Sequence, residues 1–198
     1  MNKVHQLQNA FAAFDGYNSK DPNQEEFNGE KYPKEFLYAV RMTEKLNQYA
    51  PDAAEHIRLA ARCQHIGRWE IPRKSYPMDR KGYLQWRSRL GVHHAEVASG
   101  ILKECGYDNE SIEKVKFLLQ KKQLLQHHPE TQILEDVVCL VFIEYYLNDF
   151  ALEHEDEKVI DILKKTIKKI SPRALAEAAK IPVSAKVKNL IAKAVSAA

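Results

Sequence analysis

The sequence predicts an all-α fold, a single helical bundle of about eight helices. Three observations carry this. Apolar residues recur at helical spacing in one segment after another, and capping residues, Gly and Pro punctuate those segments at helix-length intervals. Alternating β-branched runs bounded by turn residues are absent. A chain of 198 residues fits one domain and can bury about 70% of its unfolded surface in one core.

Val4, Leu7, Ala10, Phe11 and Phe14 make a first amphipathic helix, which Asp15-Gly16-Tyr17-Asn18 stops. Residues 15–33 then read as a loop, with Asp-Pro at 21 and 22 and Asn-Gly at 28 and 29. Its Tyr17, Phe27 and Tyr32 suit a lid over a pocket, and an ordinary surface loop is the alternative. A second helix follows over Lys34–Tyr49, with Pro33 at its start and Phe36, Leu37, Val40 and Leu46 facing inward. The third begins at Asp52 and sets Ala53, Ile57, Ala60, Gln64 and Gly67 on one face. Gly67 and Pro72 end it, which leaves Gln64 and His65 at its inner, C-terminal end.

Pro72, Pro77 and Gly82 break the next stretch, and a helix starts near Asp79 and continues through Leu90, Val97, Ile101 and Leu102 to Gly106, with Gly91 as a kink point. Asn109 or Ser111 caps a helix reaching Gln126, its stripe formed by Ile112, Val115, Leu118 and Leu119, and His127-His128-Pro129 breaks it. From Glu130 to Phe150 apolar residues cover most of the circumference, so this is the central helix, buried nearly all round. A Lys-rich helix over Asp156–Ile170, a short one after Ser171-Pro172 and a last one from Ser184 complete the chain, and residues 156–198 are expected to pack on the bundle.

The net charge of +3 does not by itself announce a nucleic-acid binder, but the basic excess is concentrated between Arg62 and Arg89. Cys63, Cys105 and Cys139 are far apart in apolar helical patterns, which points to buried thiols in a reducing compartment rather than to a disulfide framework. No segment approaches the roughly 18 consecutive apolar residues of a membrane span, and Met1–Asp15 lacks a signal-peptide pattern. A cytoplasmic protein with no membrane partner is the expectation. Oligomeric state stays open.

Asp136 is the first residue singled out for chemistry. Its helical neighbours Gln132, Ile133, Cys139, Leu140 and Ile143 place the carboxylate in the core, where an unpaired charge costs several kcal/mol. A metal ion, a cationic side chain or protonation must compensate it. Glu135 lies one step round the helix. His65 and His94 are the other candidates, since imidazole nitrogen and carboxylate oxygen converging from separate helices suit zinc, iron or manganese. A lone helix histidine is more often an ordinary residue than a ligand.

Between Arg62 and Arg89 the cations Arg62, Arg68, Arg73, Lys74, Arg80, Lys81, Arg87 and Arg89 are interleaved with Trp69, Tyr76, Tyr83 and Trp86. Arg forks suit phosphate oxygens, and aromatic faces suit stacked bases. The plainer alternative is that the aromatics anchor an extended loop and the arginines pair with acids.

The runs Cys63-Gln64-His65-Ile66-Gly67-Arg68-Trp69, Ile71-Pro72-Arg73, Tyr76-Pro77, Gly82-Tyr83-Leu84, Trp86-Arg87, His94-Ala95, Leu134-Glu135-Asp136 and Cys139-Leu140-Val141-Phe142 resemble the family called domain of unknown function 4202, across nearly the whole chain. That family carries no established activity to transfer. More distantly, the order of elements resembles the HD (His-Asp) phosphohydrolase superfamily, which implies an HD-like bundle whose metal activates water against a phosphate ester. On that resemblance Gln64 and His65 occupy the His-Asp pair, and Tyr38 falls near the first histidine with Glu35 one turn before it. His94 looks like a further histidine of two-metal members, Lys121 or Lys122 falls near another, and Asp136 matches the final aspartate.

The resemblance thus implies a metal-dependent phosphohydrolase or phosphodiesterase acting on a nucleotide or nucleic-acid phosphate ester. Glu35, His65, His94 and Asp136 would hold a divalent Mn, Fe or Zn ion, with Glu135 as general base. Arg68, Arg73, Arg80, Arg87 and Lys121 would hold phosphate, with Trp69 and Tyr83 beside the substrate. A lysine near a ligand position repels a metal, so the second expectation is a metal-free module that binds a phosphorylated small molecule, nucleotide or RNA. The third is an iron-dependent HD-type oxygenase, which would require two metals and about six protein ligands against the four plausible ones in this sequence.

Overall fold

The computed structural model describes residues 3–196, with side chains from residue 5 onward, so the side chain of Val4 lies outside the described residues. Among them are ten α-helices, more than the bundle of about eight predicted from spacing, together with one small hairpin. The chain divides into two compact units, one up to Thr131 and one from Gln132.

In the first unit α1 spans Lys3–Asn18, running past the predicted stop at Asp15. The polar residues there have tertiary work. The Asp15 carboxylate accepts two bonds from the Arg62 guanidinium, at 2.7 and 2.6 Å, and Asn18 is fully buried. The expected loop after it contains an antiparallel hairpin, β1 (Gln24–Phe27) and β2 (Glu30–Pro33), with Gln24 opposite Pro33 and Phe27 opposite Glu30. Asn28 and Gly29, at φ of 54° and 80°, form its turn, as an Asn-Gly pair favours. The strands escaped prediction because they are polar on both faces and show no alternation. Arg41, buried on α2 (Lys34–Tyr49), holds the hairpin by pairing with Glu25 and lying 4.8 Å over the Phe27 ring.

Helix α3 is shorter than predicted, Glu55–Arg62. The chain then turns through Gly67, which adopts φ of +67°, into a 3-10 turn at Arg68–Glu70. His65 therefore sits in a turn beyond the helix. The N-cap of α4 (Arg80–Glu104) is Asp79, whose carboxylate accepts from the Gly82 N–H at 2.7 Å, and the helix continues through Gly91 without a break. Helix α5 spans Asn109–Leu119, capped by Asp108 rather than by either residue expected. It ends well before Gln126 because Lys121, Gln123 and His127 all take left-handed backbone conformations, at φ of 51°, 56° and 56°. Phe14, Met42, Leu46, Leu59, Leu102 and Leu118 are among its fully buried side chains, each worth roughly 1.5–3 kcal/mol of burial.

Helix α6 (Pro129–Val141) contains the boundary between the units. The predicted central helix is interrupted: a π-helical turn at Phe142–Tyr146 joins α6 to α7 (Leu147–Glu153). Its burial is as expected, since from Thr131 to Phe150 only Asp149 is exposed. In the second unit α8 (Asp156–Ile167), α9 (Pro172–Ala178) and α10 (Ala185–Ser196) complete the fold. Ile143, Leu147, Ala151, Val159, Leu163, Val187 and Leu190 form its core. Among the described residues no helix is long and apolar enough to cross a membrane.

Candidate functional site

The turn after α3 is held by backbone contacts from two helices. On one side the Gly67 N–H donates to Asn18 Oδ1 at 3.4 Å. On the other, His93 Nε2 meets the Gly67 carbonyl at 3.2 Å, His94 Nδ1 meets the Ile66 carbonyl at 2.6 Å and Trp86 Nε1 donates to the Ile71 carbonyl at 2.9 Å. A side chain at Gly67 would place its Cβ 2.9 Å from His93 Nε2, in a backbone conformation that already favours glycine. His93 Nε2 also lies 3.0 Å from Glu70 Oε2. The other Glu70 oxygen accepts from Tyr17 Oη at 2.7 Å, and burial with this bond pushes the phenol up to about 12.

His65 stands at the centre of this turn. Its ring stacks on Tyr38 at 4.1 Å and 11°. Its Nε2 lies 3.2 Å from Arg68 Nη1, and its Nδ1 lies 3.3 Å from Glu35 Oε2. Arginine only donates, so Nε2 accepts and the proton resides on Nδ1, facing Glu35. Arg68 completes the ring: its Nε is 3.7 Å from Glu35 Oε1, and its guanidinium lies 4.9 Å over Trp86. Asp21 Oδ2 accepts the Glu35 backbone N–H at 3.1 Å at the start of α2.

The electrostatics follow from burial. Desolvation raises Glu35 from 4.5 to about 7, partly opposed by Arg68. Desolvation holds His65 well below 6.5, and Arg68, His94, Lys121 and Arg87 act in the same direction. His94, its ring 5.9 Å from that of His65, is lowered to about 3, chiefly by burial. Its bond to the Ile66 carbonyl places the proton on Nδ1. Among the described residues the buried Nε2 lone pair has no hydrogen-bond partner.

The structure thus gathers Glu35, His65, Arg68 and His94, with Arg87 and Lys121 acting on the same histidine. Arg87 donates to Tyr83 Oη at 3.2 Å. Arg73 turns back on its own loop, donating to the carbonyls of Tyr76 at 3.1 Å and Asp79 at 3.3 Å. Trp69 packs against Tyr17, and Arg80 is exposed. Trp86, the platform for Arg68, was read only as one aromatic in the basic strip, and Tyr38 only as a stand-in for a missing histidine. Their spacing from residues 65 and 68 carries no short-range signal.

As a metal centre the donor set does not fit. Both His65 nitrogens are engaged, and the Arg68 cation lies against both His65 and Glu35. Among the described residues no group of three or more His, Cys, Asp or Glu is placed to hold a metal ion. No reaction step through a metal is derived.

Asp136 is buried as expected and Glu135 is buried beside it, and the partners named here lie in the second unit. Asp136 Oδ1 accepts from Gln132 Nε2 at 2.9 Å and from the Ser171 N–H at 2.8 Å, and Oδ2 accepts from Ser171 Oγ at 2.6 Å. Ser171 Oγ in turn caps α9 at the Ala174 N–H, 3.2 Å away. Glu135 lies 3.8 Å from Lys169 Nζ. Replacing Asp136 with Ala removes three bonds and strips the support of that cap, which is expected to cost on the order of 3 kcal/mol. Denaturant unfolding checks this: a midpoint unchanged from wild type would show that the carboxylate does not serve the fold.

No curated protein and no solved structure matches the chain. The family model described as a domain of unknown function (DUF4202) matches residues 8–191, which include the whole of the turn and every side chain around it, and the chain belongs to that family.

Proposed function

We propose that the site around Arg68 binds the phosphate group of a phosphorylated small molecule or nucleotide without a metal ion. The observation that carries this is the setting of Arg68, whose guanidinium is fixed by His65 Nε2, Glu35 and the Trp86 face. Such fixing lowers the entropy lost when the remaining N–H groups grip an oxyanion. Both histidines are held neutral and burial raises Glu35 to about 7, so that it is only partly ionised at neutral pH, and Arg68, Arg87 and Lys121 together give the local field a sign that suits an anion.

Calorimetric titration with adenosine monophosphate in the presence of EDTA tests the reading. Binding is expected to survive the chelator and to weaken as salt rises. Absence of binding in EDTA, with binding and phosphate release restored by Mn, Fe or Zn, would overturn it in favour of the metal-dependent hydrolase.

A further inference from the structure

The buried Nε2 of His94 is not used by phosphate binding alone. We infer that this site selects phosphate esters carrying a hydroxyl close to the phosphate, and that His94 Nε2 is the acceptor for that hydroxyl. The inference rests on the phosphate reading above and names its ligand class.

Four observations lead to it. His94 Nδ1 is committed to the Ile66 carbonyl at 2.6 Å, which leaves Nε2 as an acceptor only. Among the described residues that buried nitrogen has no hydrogen-bond partner, although Arg68, His93 and Arg87 all act on the ring electrostatically. An unsatisfied buried acceptor is destabilising, so a ligand that brings a donor is favoured. The imidazole does not satisfy itself by taking a proton, because burial holds it at about 3.

The donor's chemistry is then narrowed by charge. An ammonium would enter a field set by Arg68 and Arg87, which repels it. The phosphate's own proton is largely gone at neutral pH, its second pKa being about 6. A neutral hydroxyl on the esterified alcohol remains. The 5.9 Å between the His65 and His94 rings separates the residue that fixes Arg68 from the acceptor. Arg68 also acts on the His94 ring, so the acceptor stands near the guanidinium that would hold the phosphate.

The test compares glycerol 3-phosphate with n-propyl phosphate, two esters of equal charge and similar size that differ in their hydroxyls, by calorimetric titration. Wild-type protein is expected to bind glycerol 3-phosphate at least about tenfold more tightly, since a site built to accept a hydroxyl discriminates against its absence. His94→Leu should erase that preference, so that the two esters bind alike. His94→Gln, whose amide oxygen can accept, should restore part of it. Equal affinity of the two esters for the wild type would overturn the inference and leave the phosphate reading standing. Failure of both esters and of inorganic phosphate to bind would overturn that reading as well. Should His94→Leu fail to fold, the wild-type comparison and His94→Gln decide the matter.

Discussion

Acidification from pH 6.5 toward pH 3 is expected to destabilise the protein by several kcal/mol, with His94 contributing on the order of 5 kcal/mol. In the folded chain His94 is lowered to about 3, against 6.5 when exposed. Below pH 6.5 the unfolded chain takes up a proton that the folded chain refuses, so stability falls as pH falls. His65 acts in the same sense, being held well below 6.5 by burial and by Arg68, His94, Lys121 and Arg87. Glu35 opposes them. Its pKa is raised from 4.5 to about 7, so its contribution is fully present below 4.5 and is lost as pH rises through 7. That term is on the order of 3 kcal/mol. Denaturant midpoints between pH 7 and pH 4 should therefore drop for the wild type, flatten for His94→Gln and drop more steeply for Glu35→Gln. A wild-type midpoint that rises on acidification would show that the histidines are not buried neutral.

Replacing Arg68 with Leu is expected to weaken binding of adenosine monophosphate at least about 100-fold, as for loss of a charge-assisted bidentate contact. The variant also removes the partner of His65 Nε2 and the cation that favours ionised Glu35. Glu35 should then titrate at still higher pH, and His65 should be lowered less. Arg68→Lys keeps the charge but loses the planar fork and its stacking on Trp86, so an intermediate affinity is expected. Calorimetry with the three proteins gives the ranking. Wild-type affinity in Arg68→Leu would remove the residue from the site.

Much of the fold was legible because its signals are local. Pro33 and the spacing of Leu37 and Leu46 mark α2 at both ends, Asp79 announces α4 and the apolar run after Glu130 is buried as read. What escaped depends on partners distant in sequence. The Asn18 contact to Gly67 and the Arg62 contact to Asp15 carry α1 beyond its stop signal. The hairpin is held by Arg41 rather than by its own alternation.

The site shows the same division. Residue types drew attention to His65, Arg68 and His94 and the HD resemblance to Glu35, and the fold brings these four side chains together. They did not reveal that Arg68, three residues after His65, folds back onto its Nε2 and takes the place a metal would need. The burial of Asp136 was foreseen, but its compensation by Ser171 was not, because that partner is 35 positions away in the chain.

A crystal structure of the protein with saturating adenosine monophosphate at neutral pH tests the central claim most directly. The account predicts the phosphate oxygens within hydrogen-bond distance of the Arg68 guanidinium, with Arg87 and Lys121 facing the same group. A metal ion ligated by Glu35, His65 and His94 with Arg68 swung aside, or the nucleotide bound away from this turn, would contradict it.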